Sequence, residues 1–465
     1  MRTSTWLIIG TALITLILVL FVGSQLVQPP LPLLSYAAFN LDSISPNADG
    51  DADITRFSYQ LNRNANVSLY IEASDGTSYI FRNAEPRTEG DYSVLFSGVV
   101  DGFLLPDEEV AGTIERRLIP NGEYTWRLIA ENETETQEIT GSLSVHDGDN
   151  PLPEISVFSV SPDTFTPNQD GRQDRVEINI YLTKDSQLDV YLLGKNDVVI
   201  PISARKEGRL PGEAGRHVFD YEGGIDLGAD PPPDGTYTVI ATAQDAVGQR
   251  TRQEAQLTIQ LGGKPRAEIV PQNVGVDVIF TTIPWDEAYF SDENHLGQLI
   301  EKPIDPEDRA NRPITMPVGD VLVFQLTIEN YTNVPIRTTG PTPGLVYDQK
   351  QLSASLGAYE ESGAWRVGIQ CETSMTSYPW RWAIGSSDDL IEDLDEKTGD
   401  TFYYLPPRSR AIVWGGIRMT DLQTRNNPQD CWAGLIHEDV EVSLHNNNVG
   451  RRSVELVDPL AETDN

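Results

Sequence analysis

The feature that most constrains this chain is an internal repeat. Ser45-Pro46-Asn47-Ala48-Asp49-Gly50-Asp51-Ala52-Asp53 aligns with Thr166-Pro167-Asn168-Gln169-Asp170-Gly171-Arg172-Gln173-Asp174, with five of nine positions identical. An alternating apolar run follows each copy, Phe57-Ser58-Tyr59-Gln60-Leu61 in the first and Val176-Glu177-Ile178-Asn179-Ile180-Tyr181-Leu182 in the second. Both copies also close alike, on Pro120-Asn121-Gly122-Glu123-Tyr124-Thr125 and Pro233-Asp234-Gly235-Thr236-Tyr237-Thr238. Asx-Gly ahead of a period-two run is hairpin chemistry: the glycine supplies a positive φ, and alternation sends successive side chains to opposite faces of a strand. A unit used twice in this way is a small antiparallel β-module with its own core. Two of them occupy residues 36–147 and 148–262, and Asp147-Gly148-Asp149-Asn150-Pro151-Leu152-Pro153 and Gly262-Gly263-Lys264-Pro265 read as the linkers after them.

The pattern Pro-Asn-x-Asp-Gly, then strands, then Pro-Asx-Gly-x-Tyr-Thr resembles the FlgD-like immunoglobulin-like domain. That resemblance covers roughly half the chain and implies an accessory or assembly unit, not a hook-capping role. Because such modules are appended to exported bacterial proteases, glycosidases and surface proteins, the expected non-catalytic surface protein has as alternatives a carbohydrate-binding surface protein or an accessory part of an exported hydrolase. The remainder, 265–460, departs from the repeat but carries strand-like runs such as Val321 to Asn330, Trp365 to Ile369, Ala411 to Ile417 and Val440 to Leu444. No helical period recurs there. The expected fold class is therefore all-β: two Ig-like sandwiches and a third β-rich domain, with a long polar loop near 282–312.

The N-terminal end has different physics. Trp6 to Val22 contains no charged residue, and extended through Val27 it reaches the roughly 20 residues that cross a hydrocarbon core. We expect residues 1–28 to be an anchor with one transmembrane helix. Arg2 predicts a cytoplasmic start, which places the bulk of the chain outside the cytoplasmic membrane. A cleaved signal peptide ending near Val22-Gly23-Ser24 is the alternative, and it exports the same residues. Pro29-Pro30-Leu31-Pro32 opens a short stiff stalk over 29–35.

Charge excludes one class of partner. With 34 Lys and Arg against 70 Asp and Glu, the net charge is −36, and nucleic acid requires a basic face. A protein or an envelope polysaccharide remains as the expected partner beside the membrane. The two cysteines, Cys371 and Cys431, lie beyond the membrane segment, where an oxidising compartment permits a disulfide.

For chemistry, the sequence offers three candidates. Asn47, Asp49, Asp51 and Asp53 alternate in a Gly-containing loop and could turn oxygens toward calcium, although the bidentate Glu of an EF-hand is missing and an Asx-turn network is the alternative. In the second repeat Arg172 stands where Asp51 stands in the first, which weakens a shared metal role. Trp380-Arg381-Trp382, in a strand, would put both indoles on one side, a candidate sugar-binding face, against the commoner reading of core filling. Five scattered histidines, His146, His217, His295, His437 and His445, assemble no triad or metal motif, and the acid pairs Asp388-Asp389 and Glu392-Asp393 read as a solvated run, so no catalytic residue is assigned.

Overall fold

The computed structural model of the chain describes residues 5–26, 31–203, 210–273, 275–290, 297–303 and 312–458. One long helix, Thr5–Leu26, carries no charged residue, and its Thr5–Gly23 stretch is long and hydrophobic enough to cross a membrane. Arg2, Val27 to Pro30 and the end of the chain from Pro459 lie outside the described residues. The other described elements of secondary structure are β-strands and short 3-10 turns.

Module 1 is a sandwich. Its three-stranded sheet runs Leu34–Phe39, Thr55–Leu61, Gly90–Phe96, and its five-stranded sheet runs Ser43–Ile44, Thr136–Val145, Gly122–Glu131, Ala65–Ala73, Ser78–Arg87. The alternation read from the sequence aims Phe57, Tyr59 and Leu61 inward from one sheet and Val67, Leu69 and Ile71 from the other. Trp126 closes the centre with its ring edge-on to Phe39 and Phe57, and Gly141 across the strand pair leaves room for the indole. Burying each such side chain contributes about 1.5–3 kcal/mol.

Two sequence expectations change here. Leu33 and Leu34 are fully buried in this core, so the proposed stalk over 29–35 gives way to the first strand at Leu34; Pro29 and Pro30 lie outside the described residues. The stretch from Asp147 to Pro153 is not a free linker either, because Leu152 and Pro153 are buried and their carbonyls accept from Thr183 and Thr251 of module 2.

Module 2 repeats the topology. A three-stranded sheet of Ile155–Ser161, Val176–Leu182 and Gly215–Tyr221 faces one containing Val199–Pro201, Gln187–Leu193, Gly235–Gln244 and Arg250–Ile259. That second sheet does not end with its own chain segment. A hairpin of module 1, Val99–Asp101 with Thr113–Leu118, pairs antiparallel onto Arg250–Ile259 and extends the sheet to seven strands. The modules therefore share a sheet, and an edge strand that would otherwise stay open is partly covered.

Gln249 explains how the backbone buried at this junction is satisfied. Its fully buried amide accepts from Leu118 N–H at 3.2 Å, and its two Nε2 hydrogens are shared among the carbonyls of Asp149 and Pro151, both at 3.0 Å, and the Asp245 carboxylate at 2.8 Å. Lys184 adds 2.7 Å ion pairs to Asp149 and Asp245.

The C-terminal domain is a larger sandwich of a five-stranded sheet centred on Val321–Asn330 and Arg410–Arg418 and a nine-stranded sheet centred on Trp365–Cys371 and Gln429–His437. Part of the 282–312 stretch is anchored rather than loose: Ile300 is buried against Val321, Val323 and Val346, and Trp414 Nε1 donates to its carbonyl at 3.3 Å. Residues 291–296 and 304–311 of that stretch lie outside the described residues.

Replacing Gln249 with Leu removes the acceptor of the buried Leu118 N–H and one donor from each of the Asp149 and Pro151 carbonyls, the latter still held by Lys184, at about 1–3 kcal/mol for a buried group left unsatisfied. We expect calorimetry of Q249L to show modules 1 and 2 melting apart and at lower temperature. One unchanged transition would show that the amide does not couple them.

Candidate functional site

The repeat motifs converge at one pole of each module. In module 1, Asn47 Oδ1 accepts from Asp49 N–H at 2.9 Å and Asp49 Oδ1 from Asp51 N–H at 2.8 Å. The Asp53 carboxylate accepts from the N–H groups of Asn47, Ala48 and Gly50 at 3.0, 2.7 and 2.7 Å. Asn168, Asp170 and Asp174 repeat this network in module 2. Of the four residues expected to gather calcium, Asn47, Asp49 and Asp53 turn side-chain oxygens into the loop's own backbone, the arrangement of an Asx-turn network, while Asp51 enters that network only through its backbone. Among the described residues no three His, Cys, Asp or Glu side chains gather as a metal set.

The second motif closes the same pole. The Tyr124 and Tyr237 hydroxyls reach back four residues to the carbonyls of Pro120 and Pro233, the latter at 2.7 Å, which is the tyrosine corner of Ig-like sandwiches. Asn121 accepts from Gly148 N–H at 2.9 Å, and Asp234 accepts from Leu261 and Gly262 N–H at 3.0 Å. The departing chain then bonds back to the first loop, Asp149 N–H to the Pro46 carbonyl and Gly263 N–H to that of Pro167. Where one module ends, its direction of departure is thus set by hydrogen bonds.

At module 2 this pole carries the C-terminal domain, held by a cluster of polar side chains. Arg172 pairs with Asp393 at 2.7 Å and Asp395 at 3.3 Å, donates to the Tyr404 hydroxyl at 3.0 Å, and lies 3.8 Å over the Phe402 ring. Tyr404 in turn donates to Asp170 at 3.3 Å. His437 Nε2 donates to the Gln169 carbonyl at 2.7 Å while its ring stacks on Trp365, 4.4 Å between centroids. A Cβ on Gly171 would lie 2.0 Å from the Ser362 carbonyl oxygen, so the loop backbone itself is in contact.

Burial reverses the electrostatics of the shared network. In module 1 the slight desolvation of Asp53 is outweighed by the backbone N–H groups of Gly50, Ala48, Asn47 and Asp49, and its carboxyl sits below the ordinary range. In module 2 desolvation dominates and raises Asp174; desolvation with the neighbouring Asp174 charge pushes Asp170 up to about 6. Desolvation also pushes His437 down to about 4, so it is neutral at pH 7 and free to donate from Nε2.

The other sequence candidates fall elsewhere. Trp380 and Trp382 do share one side of their strand with Arg381 opposite, but both indoles are buried, at 2% and 0% exposure, so they are no sugar-binding face. Trp382 packs edge-on to Phe324 and Tyr347 and donates to the Leu345 carbonyl, a core role. Cys371 and Cys431 face each other across neighbouring strands and are joined in a disulfide within the same core. The acid pairs were read as a solvated run, and Glu392 and Asp393 are exposed; they lie on the edge strand Ile391–Leu394, where Asp393 also receives Arg172. Sequence reasoning missed Arg172, Asp395, Tyr404 and His437, and the one available signal was the departure of Arg172 from Asp51 in an otherwise matching loop.

No family model matches the chain, and no curated protein does. Solved structures with some similarity include a chimeric titin Z1Z2 functionalized with a KLER peptide from decorin (15% identity, 48% of this chain and 96% of that one, TM-score 0.17). Another is the three N-terminal domains of the Highly Immunogenic Outer Capsid protein of bacteriophage RB49 (10% identity, 90% and 98%, TM-score 0.22). A third is a bacterial ice-binding adhesin (11% identity, 91% and 99%, TM-score 0.19). At these TM-scores the overlays carry no argument. The class follows from the chain's own sheets: a tandem Ig-like β-sandwich protein behind one apolar helix.

Two of the shifted groups at the joint, His437 and Asp170, give opposite pH dependences. His437 has a folded pKa near 4 against 6.5 when unfolded, so stability falls as pH drops from about 6.5 toward 4. Asp170 has a folded pKa near 6 against 3.8, so stability rises as pH drops through 6. Chemical denaturation at pH 7, 6 and 5 should therefore show H437Q gaining stability toward pH 5 and D170N losing it, with the parent between them. Parallel profiles for both variants would contradict these assignments.

Proposed function

We propose that this chain is a non-catalytic, membrane-anchored protein of the bacterial envelope, in which two FlgD-like Ig-like modules hold a C-terminal β-domain at a set distance and angle for contact with a partner. The observation that carries this reading is the construction of the two joints. One is a shared sheet sealed by Gln249, and the other is the Arg172, Asp170 and His437 contact, whereas independent domains on free linkers would move relative to one another. A spacer needs this stiffness; a chain of loosely tethered binding units does not. The helix Thr5–Leu26 supplies the anchor, with its N-terminus in the cytoplasm, and the acidic surface keeps the exported part soluble. The partner is a protein or an envelope polymer, and the buried Trp380 and Trp382 give no support to a sugar platform.

Topology and anchoring are tested together. A cysteine at the exposed Tyr359 should react with a membrane-impermeant maleimide without breaching the cytoplasmic membrane, and deleting residues 5–26 should leave the protein out of the membrane fraction. Labelling only after the cytoplasmic membrane is lysed would overturn the proposed orientation.

A further inference from the structure

The two modules carry the same pole, but among the described residues only the pole of module 2 is covered. The likeness extends to backbone conformation: Ala48 and Gln169 have φ of 64° and 56°, Gly50 and Gly171 of 93° and 83°, and Ala52 and Gln173 of 54° and 51°. Ser45 N–H bonds to the Ala52 carbonyl as Thr166 N–H does to that of Gln173, and the Ser45 and Thr166 hydroxyls donate to the Asp51 and Arg172 carbonyls. In module 2 this loop is a docking element, with Asn168 and Asp170 buried under the C-terminal domain. In module 1 Ala48, Asp49, Gly50 and Asp51 are all exposed, and a Cβ on Gly50 would meet nothing within 4 Å. The difference arises because module 2 joins module 1 through the hairpin of Val99–Asp101 and Thr113–Leu118 and through the segment before Ile155, beside the loop rather than over it.

We infer that the loop from Asn47 to Asp51 is a second docking element, built to receive a separate protein partner with a basic side chain placed opposite Asp51. The covered loop shows what such a partner must offer. It needs a donor for the carbonyl of residue 48, as His437 serves Gln169, and a hydroxyl or N–H for the carboxylate of Asp49, as Tyr404 serves Asp170. The last contact is inverted in sign. The C-terminal domain holds Arg172 with Asp393 and Asp395, so the residue at Asp51 calls for Lys or Arg. This inversion also rules out the C-terminal domain of a second copy, whose Asp393 and Asp395 would face Asp51 and are already engaged within their own chain. A distinct, basic partner surface is the occupant the charges select.

The inference rests on the reading of this chain as one that engages a partner, and the test separates the two. A photo-reactive amino acid is placed at Ala48, and in a parallel protein at Leu444, an exposed position of the C-terminal domain, in the full-length protein in its native membrane. Irradiation at position 48 should give a discrete adduct with one protein, identified by mass spectrometry. D51R in the same background should reduce that adduct at least about tenfold, because it sets like charges together. The Asp51 side chain takes no part in the loop's hydrogen bonds, which use only its backbone, so folding should be retained, checked by an unchanged thermal transition. No adduct at 48 with one at 444 overturns the second docking element and leaves the partner reading standing. An adduct at neither position overturns both. An adduct at 48 with a second copy of the chain, or one indifferent to D51R, overturns the basic partner.

Discussion

The rest of this structure depends on finding hydrogen-bond partners for backbone groups where one sandwich gives way to the next. A sandwich satisfies its own N–H and C=O groups within its sheets, but a segment leaving one and entering another passes through a dry seam with no ladder to join. Each such group left unpaired costs about as much as a lost hydrogen bond or more. The chain meets this with short polar side chains set at fixed offsets: Asp53 and Asp174 inside the first loop, Asn121 and Asp234 at the exit, and Gln249 across the seam between modules. The repeat is visible in the sequence because the same backbone problem is solved twice in the same way.

That shared solution also shows how far environment, rather than local structure, sets chemistry. Asp53 and Asp174 accept from matching backbone N–H groups, yet one carboxyl lies below its ordinary range and the other above it. Covering the loop removes water from the carboxylate faster than the fixed N–H dipoles can compensate. The same covering takes the charge off His437, which then donates to Gln169 as a neutral imidazole and adds no positive charge to that of the nearby Arg337.

Legibility in the sequence followed local physics. Alternation identified the strands around Phe57 and Val176, and the run of apolar residues from Trp6 identified the helix, because both are statements about neighbours in the chain. The hairpin that crosses from module 1 to module 2 was invisible, since Thr113–Leu118 alternates no differently for pairing with a foreign strand than with its own. Trp380 and Trp382 show the same limit: period two places both indoles on one face, but only the opposing sheet, with Phe324 and Gly415 beneath Trp382, decides that this face is the core. Arg172 was legible as an anomaly and not as a contact, because Asp393, Asp395 and Tyr404 lie more than two hundred residues away.

The position of the joint on the C-terminal domain carries a last consequence. His437 ends a central strand, and the next residue, Glu438, is buried with Arg366 and pairs with Arg381 at 2.7 Å. Arg366 reaches the carbonyls of Thr339 and Tyr359 besides, so a desolvated ion network begins one residue from the interdomain contact. Buried ion pairs are weak contributors to net stability, since desolvation offsets most of the attraction, but losing one partner strands the other charge. A network of this kind tolerates one arrangement far better than its neighbours. Placed beside His437, it ties the angle at the joint to the packing of the C-terminal core, and the orientation of the domain becomes a property of the fold rather than of a linker.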